Sequence, residues 1–129
     1  MPGSFLLDAN IAVALLAGED AVRAALNRSG LIFLSSIVLG ELFYGAQESA
    51  RPEANLARVE ALAAKFGVLN CDLSTARCYG NIRDALRTKG KPIPENDIWI
   101  AAHAQQYDLT LVTRDAHFGA VEGIRLQAW

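Results

Sequence analysis

Cysteine is scarce in this chain: Cys71 and Cys78 are the only two among 129 residues. Asp8 interrupts the first apolar stretch, and no basic region precedes it. A signal peptide and a disulfide-stapled secreted scaffold are therefore not expected, and free thiols in a reducing cytoplasm are. Long hydrophobic runs are missing as well. The longest, Leu31 to Gly40, contains two serines and falls far short of the ~20 residues that span a bilayer. A membrane role is excluded on that ground. Nor is there an excess of positive charge. Twelve Lys+Arg stand against fourteen Asp+Glu, for a net charge of −2. Overall charge thus does not mark a nucleic-acid binder, and such a role would need a local basic face or bound metal. No internal repeat, low-complexity tract or linker breaks the chain. What is present is the composition of a compact domain, 52% apolar and 20% charged. One domain over residues 1–129 is expected, able to fold without a metal or disulfide staple.

Short apolar runs alternate with helical patterns from end to end. Ser4–Leu7, Leu31–Leu34, Gly67–Asn70 and Leu109–Val112 read as strands, and Ile124–Leu126 as a further one. Helices are expected over Asn10–Ala17, Glu19–Arg28, Ile37–Gln47, Pro52–Phe66, Ser74–Thr88 and Glu95–Tyr107. Gly18 stops the first, Ser35 or Ser36 caps the third, and Pro52 opens the fourth. Ser74 or Asp72 caps the fifth. The strand runs lack period-2 alternation, as expected when both sheet faces are covered. The expectation is a three-layer α/β/α sandwich with a mostly parallel central sheet. Ligands in such folds sit beyond the carboxyl ends of the strands.

Four acids fall at that edge. Asp8 follows the first strand. Glu41 lies one turn into the helix after the second. Asp97 heads the helix after the loop Gly90–Pro94, and Asp115 follows the strand ending at Val112. Glu41 is embedded in the apolar stretch Ile37–Tyr44. Asp97 heads a stripe of Ile100, Ala101 and Ala104 that should pack on the sheet. Each acid has a plain reading as a turn residue, cap or surface group. Those separate readings do not explain why all four share one edge. Gathered carboxylates repel and raise one another's pKa unless a cation sits among them. Oxygen donors without a Cys or His set suit Mg²⁺ or Mn²⁺ rather than Zn²⁺. An acidic cluster of this kind serves phosphodiester hydrolysis.

The segments Leu6-Leu7-Asp8-Ala9-Asn10-Ile11, Gly40-Glu41-Leu42-Phe43-Tyr44-Gly45-Ala46, Pro92-Ile93-Pro94-Glu95-Asn96-Asp97-Ile98-Trp99 and Val112-Thr113-Arg114-Asp115, with a terminal Trp129, resemble the PIN-domain ribonucleases. Within that family they resemble the VapC toxins of toxin–antitoxin pairs, over essentially the whole chain. The resemblance implies a Mg²⁺- or Mn²⁺-dependent endoribonuclease that cleaves cellular RNA and so inhibits translation and growth. It implies catalytic and metal-holding roles for Asp8, Glu41, Asp97 and Asp115, with Asn10 and Thr113 as polar helpers. It implies a homodimer neutralised by a VapB-type antitoxin, with operator DNA bound only through that antitoxin. Leu15, Leu16, Leu39 and Phe43 flank the region where an antitoxin tail would lie. The chain departs from the pattern at His117, where many relatives carry an acid or Asn before the Phe of the last motif.

Residues 73–94 carry a net charge of +4 from Arg77, Arg83, Arg87, Lys89 and Lys91 against Asp84. Arg83, Arg87 and Lys91, together with Arg114, are candidate RNA contacts. A solvated helix face, and a salt bridge for Arg114, are the plainer readings. His103 should face away from the acids, and His117 is better placed for a contact. Cys71 and Cys78 lack ligand spacing with either His and read as structural. Two other functions remain open. A phosphoryl-accepting receiver-like module would use Asp8 with Asp72 but leaves Glu41 and Asp97 unexplained. A catalytically inactive PIN binding module would not need all four acids. A haloacid-dehalogenase-type phosphatase would require a second Asp where Asn10 stands.

Overall fold

The computed structural model describes residues 3–129. Five short strands, β1 (Ser4–Leu7), β2 (Leu31–Ser35), β3 (Gly67–Leu69), β4 (Thr110–Val112) and β5 (Arg125–Gln127), form one sheet in the order β3-β2-β1-β4-β5. Every neighbouring pair is parallel, so the sheet is wholly and not just mostly parallel. Parallel pairs require long crossovers, and helices supply them. Helices α1 (Ala9–Leu16) and α2 (Asp20–Arg28) link β1 to β2, and α3 (Ser36–Gln47) and α4 (Pro52–Lys65) link β2 to β3. Helices α5 (Leu73–Thr88) and α6 (Glu95–Gln106) carry the chain back across β1 to β4. Right-handed crossovers put α1–α4 on one face and α5–α6 on the other. The packing agrees: α1 contacts α2 and α3, α3 contacts α4, and α5 contacts α6. This is the expected three-layer sandwich.

The apolar strand runs form the middle of the core. Leu6, Leu7, Leu34, Leu111 and Val112 are fully buried, which is why their sequences do not alternate. The edge strand β5 differs, with Arg125, Leu126 and Gln127 all exposed. It lies one residue later than the expected Ile124–Leu126, because its register is set by pairing with Thr110–Val112 and not by burial. Gly18 adopts φ +77° and ends α1. Ser35 caps α3, its Oγ accepting from Ile37 N–H at 3.0 Å. Asp72 and Thr75 cap α5 reciprocally. Helix α1 starts at Ala9, one residue earlier than expected, because Asp8 itself is its N-cap. A 3-10 turn at Ala116–Ala120 joins β4 to β5, and nothing in the hydrophobic pattern announced it. Among the described residues, no helix is long and apolar enough to cross a membrane.

Candidate metal centre

The winding reverses between β1 and β4, and a crevice opens beyond their carboxyl ends at such a reversal. Leu7 and Val112 are register partners there, so Asp8 and Thr113 are the next residues out. The Asp8 N–H donates to the Val112 carbonyl, and the Thr113 N–H to the Gln127 carbonyl, both at 2.9 Å. These bonds extend the ladder by one step and fix the start of both loops. Asp8 is 5% exposed. Its Oδ1 accepts from Ala9 N–H at 2.8 Å. Its Oδ2 accepts from Thr113 Oγ1 at 2.7 Å and from Asn10 Nδ2 at 3.5 Å. Thr113 Oγ1 in turn accepts from Asp115 N–H at 3.0 Å, and Asn10 Oδ1 from Arg114 N–H at 3.3 Å. Asn10 and Thr113 therefore bind the β1 and β4 loops into one polar lattice around Asp8.

Asp97 sits in the first turn of α6. The stripe expected to pack on the sheet does so: Ile100, Ala101 and Ala104 are buried. That packing draws the Asp97 side chain inward to 16% exposure. Glu41 is half-buried on α3, beside buried Val38 and Leu42. Among the described residues its Oε1, which is buried, meets no hydrogen-bond partner. Burial pushes the Glu41 carboxyl above its ordinary range, and the charges of Asp8 and Asp97 push it further. Burial likewise raises Asp97, opposed by a hydrogen bond from His117 and reinforced by Asp8 and Asp115. Glu41 thus feels Asp8 and Asp97, and Asp97 feels Asp8 and Asp115. Among the described residues the one group of three possible ligands within 4.8 Å of one another is Asp97, Asp115 and His117, without Asp8 or Glu41. Asp115 caps the 3-10 turn, its Oδ1 accepting from His117 N–H at 3.2 Å. The His117 ring bridges the cluster, with Nε2 2.5 Å from Asp97 Oδ2 and Nδ1 2.7 Å from Asp115 Oδ1.

This arrangement fits a divalent cation. A buried carboxylate oxygen with no donor is costly unless a positive charge meets it. Mutually repelling carboxylates with oxygen donors match the chemistry of Mg²⁺ and Mn²⁺. The family model of the PIN domain matches residues 5–124. The chain belongs to the PIN-domain family. It is 38% identical over 128 residues to the tRNA(fMet)-specific endonuclease VapC of Shigella flexneri, covering 97% of each chain. The solved structure of DNA-bound VapBC from Salmonella typhimurium superposes with TM-score 0.91 at 38% identity, over 100% of this chain and 99% of that one. VapBC2 from Rickettsia felis bound to a promoter DNA fragment matches with TM-score 0.91 at 30% identity, over 98% of each chain.

The remaining candidates of this PIN domain are placed as follows. Arg114 is exposed, but its guanidinium pairs with Glu19 at 2.5 Å and donates to the Trp129 carbonyl at 2.9 Å. The salt-bridge reading is the one its geometry takes. Arg83 pairs with Glu95 at 3.1 Å and donates to Tyr79 Oη, and Arg87 pairs with Asp84 at 2.8 Å. Lys91 is exposed on the loop leading to Asp97. Tyr79 and Trp99 stack with centroids 4.0 Å apart, locking α5 to α6. His103 faces away from the acids, as expected, buried between Ser35 Oγ at 3.0 Å and the Asn70 carbonyl at 3.3 Å. Cys71 and Cys78 are free thiols. Asp72, which a receiver domain would phosphorylate, instead accepts from Thr75 N–H and Gln106 Nε2 at 3.0 and 2.9 Å. Two features were missed from sequence: Glu19 as the partner of Arg114, and the bridging position of His117.

Proposed function

We propose that this PIN domain is a divalent-metal-dependent endoribonuclease and the toxin of a toxin–antitoxin pair. The observation that carries the reading is the orphaned, buried Glu41 Oε1, on a carboxyl that burial and the charges of Asp8 and Asp97 push above its ordinary range. Asp8, Glu41 and Asp97 are the residues to hold the principal cation, with Asp115 completing the acidic rim. When bound, Mg²⁺ or Mn²⁺ supplies charge neutralisation at the phosphodiester and activation of water. The protein supplies the frame. Thr113 and Asn10 hold Asp8 in one rotamer by their hydrogen bonds. The β1–β4 ladder fixes the backbone of Asp8 beside Val112, and burial of the α6 stripe holds Asp97 inward. The named Shigella relative acts on tRNA(fMet), so tRNA is the first substrate to offer. Arg83 and Arg87, which line one cleft with Glu95 and Ile98, and Lys91, on the loop before α6, are the proposed RNA-backbone contacts. Arg114 acts in the same region as a structural clamp.

The partner reading rests on the VapBC complexes that superpose on this chain. A VapB-type antitoxin is the proposed inhibitor, binding operator DNA on the pair's behalf, with the toxin as a homodimer. A cleft of about 360 Å³ is lined by Val13, Leu16, Leu42, Arg58 and Val59, with Glu41 in its wall. It suits an antitoxin tail. Cleavage of RNA is the cellular route to translation arrest. The test is incubation of the antitoxin-free protein with total cellular RNA in Mn²⁺ or Mg²⁺, and again in EDTA. Discrete fragments that require metal and disappear with Asp97→Asn are expected. Metal-independent cleavage, or cleavage retained by that variant, would overturn the reading.

A further inference from the structure

His117 lies on the 3-10 turn between β4 and β5, and the structure gives it a defined place. Asp115 caps the turn that carries it, and the next residue, Phe118, is fully buried. The backbone at His117 is therefore fixed on both sides, and its imidazole is held by the two carboxylates it contacts. One donor atom from each of Asp97, Asp115 and His117 lies within 4.8 Å of the others. The two ring nitrogens have different partners. Nδ1 lies 2.7 Å from Asp115 Oδ1, and Nε2 lies 2.5 Å from Asp97 Oδ2. Asp97 is the acid that couples to Asp8 and to Glu41. A metal-ligating histidine ordinarily donates its other ring N–H to a carboxylate, which fixes tautomer and orientation. Nδ1–H to Asp115 matches that arrangement. In the metal-free chain Nε2 hydrogen-bonds Asp97 Oδ2, and a cation would take the place of the proton they share, with the two ligand atoms moving apart to receive it.

We propose that His117 is a metal ligand through Nε2, sharing the cation with Asp97, and that Asp115 is its positioning residue. The proposal rests on the divalent-nuclease reading above. It has a consequence for metal choice. Mg²⁺ takes oxygen ligands and dehydrates reluctantly, whereas imidazole nitrogen favours first-row transition ions. A site of carboxylates plus one imidazole therefore selects Mn²⁺ over Mg²⁺ more strongly than a site of carboxylates alone.

The direct test uses the unmodified chain loaded with Mn²⁺ and pulsed electron paramagnetic resonance. Coupling from one coordinated imidazole nitrogen is expected, and it should change character on ¹⁵N-histidine labelling. The chain has only two histidines, and both ring nitrogens of the buried His103 are engaged elsewhere, so the signal reports His117. His117→Gln should abolish the coupling while Mn²⁺ still binds the acids. His117→Asp should lower the Mn²⁺-over-Mg²⁺ preference by about tenfold, at the lower end of losses around metal ligands. Bound Mn²⁺ without nitrogen coupling in the unmodified chain would overturn the proposal and leave the nuclease reading standing. Failure of the unmodified chain to bind Mn²⁺ at all would overturn both.

Discussion

Glu41 stands on a helix among buried Val38, Leu39 and Leu42, and among the described residues its Oε1 meets no donor. Burial and the charges of Asp8 and Asp97 hold its carboxyl above the ordinary range. A carboxyl whose folded pKa is raised binds its proton more tightly in the folded chain. The metal-free protein is then most stable with Glu41 protonated. Its stability declines as pH rises from the unfolded value of ~4.3 through the raised folded one. Thermal unfolding across that window should show the decline, Mn²⁺ should reverse it, and Glu41→Gln should flatten it. A profile identical in the variant would contradict this assignment. Asp97→Asn should lower the RNA cleavage rate by roughly 10²–10³-fold, since charge stabilisation at a metal site is worth several kcal/mol, without lowering the melting temperature of the metal-free protein. Single-turnover kinetics and thermal unfolding check the two halves. The positions of Asp8, Glu41, Asp97 and Asp115 were legible in sequence because strand ends and first helical turns are readable from apolar runs. The contact of His117 with two carboxylates was not, because it depends on a 3-10 turn that carries no periodic signal. The pairing of Arg114 with Glu19 was not either, since the partners lie far apart in sequence and meet only when β4 docks beside β1.

Helix α6 carries Asp97 at one end and is pinned along its length. His103, fully buried, accepts from Ser35 Oγ and donates to the Asn70 carbonyl, which joins α6 to the ends of β2 and β3. Burial lowers its pKa below the usual imidazole value. The folded chain keeps it neutral, whereas the unfolded chain protonates it below ~6.5. Stability attributable to His103 is therefore complete above that pH and is lost as pH falls toward the folded value. His103→Gln should remove this slope in chemical denaturation measured across pH 4.5–7.5, taken as roughly the range around the unfolded pKa. A slope that persists would assign the effect elsewhere. The α5 cap is a second anchor, since Gln106 of α6 donates to Asp72. Asp72→Ala should lower the denaturant midpoint through loss of the α5 cap and leave Mn²⁺ binding intact. Loss of metal binding would show that the cap also positions the site. Helix order and most boundaries were readable because caps such as Ser35 and Asp72 sit beside periodic apolar runs. Strand β5 was misplaced by one residue because an exposed edge strand has no burial pattern to read.

The whole chain carries net charge −2, yet its proposed substrate is a polyanion. The sheet order resolves this by concentrating chemistry at one place. Reversal of winding at β1 and β4 brings Asp8, Thr113 and Asp115 to one edge, and the N-terminal turns of α3 and α6 add Glu41 and Asp97. Strand order was not legible in sequence, since the parallel pairing of β1 with β4 depends on contacts more than a hundred residues apart in number. The proposed chemistry requires that this edge hold a cation. Calorimetric titration of Mn²⁺ into the metal-free protein, beside Glu41→Gln, tests it most directly. Saturable binding by the unmodified chain and at least about tenfold weaker binding by the variant are expected. No binding, or equal binding by both, would contradict it.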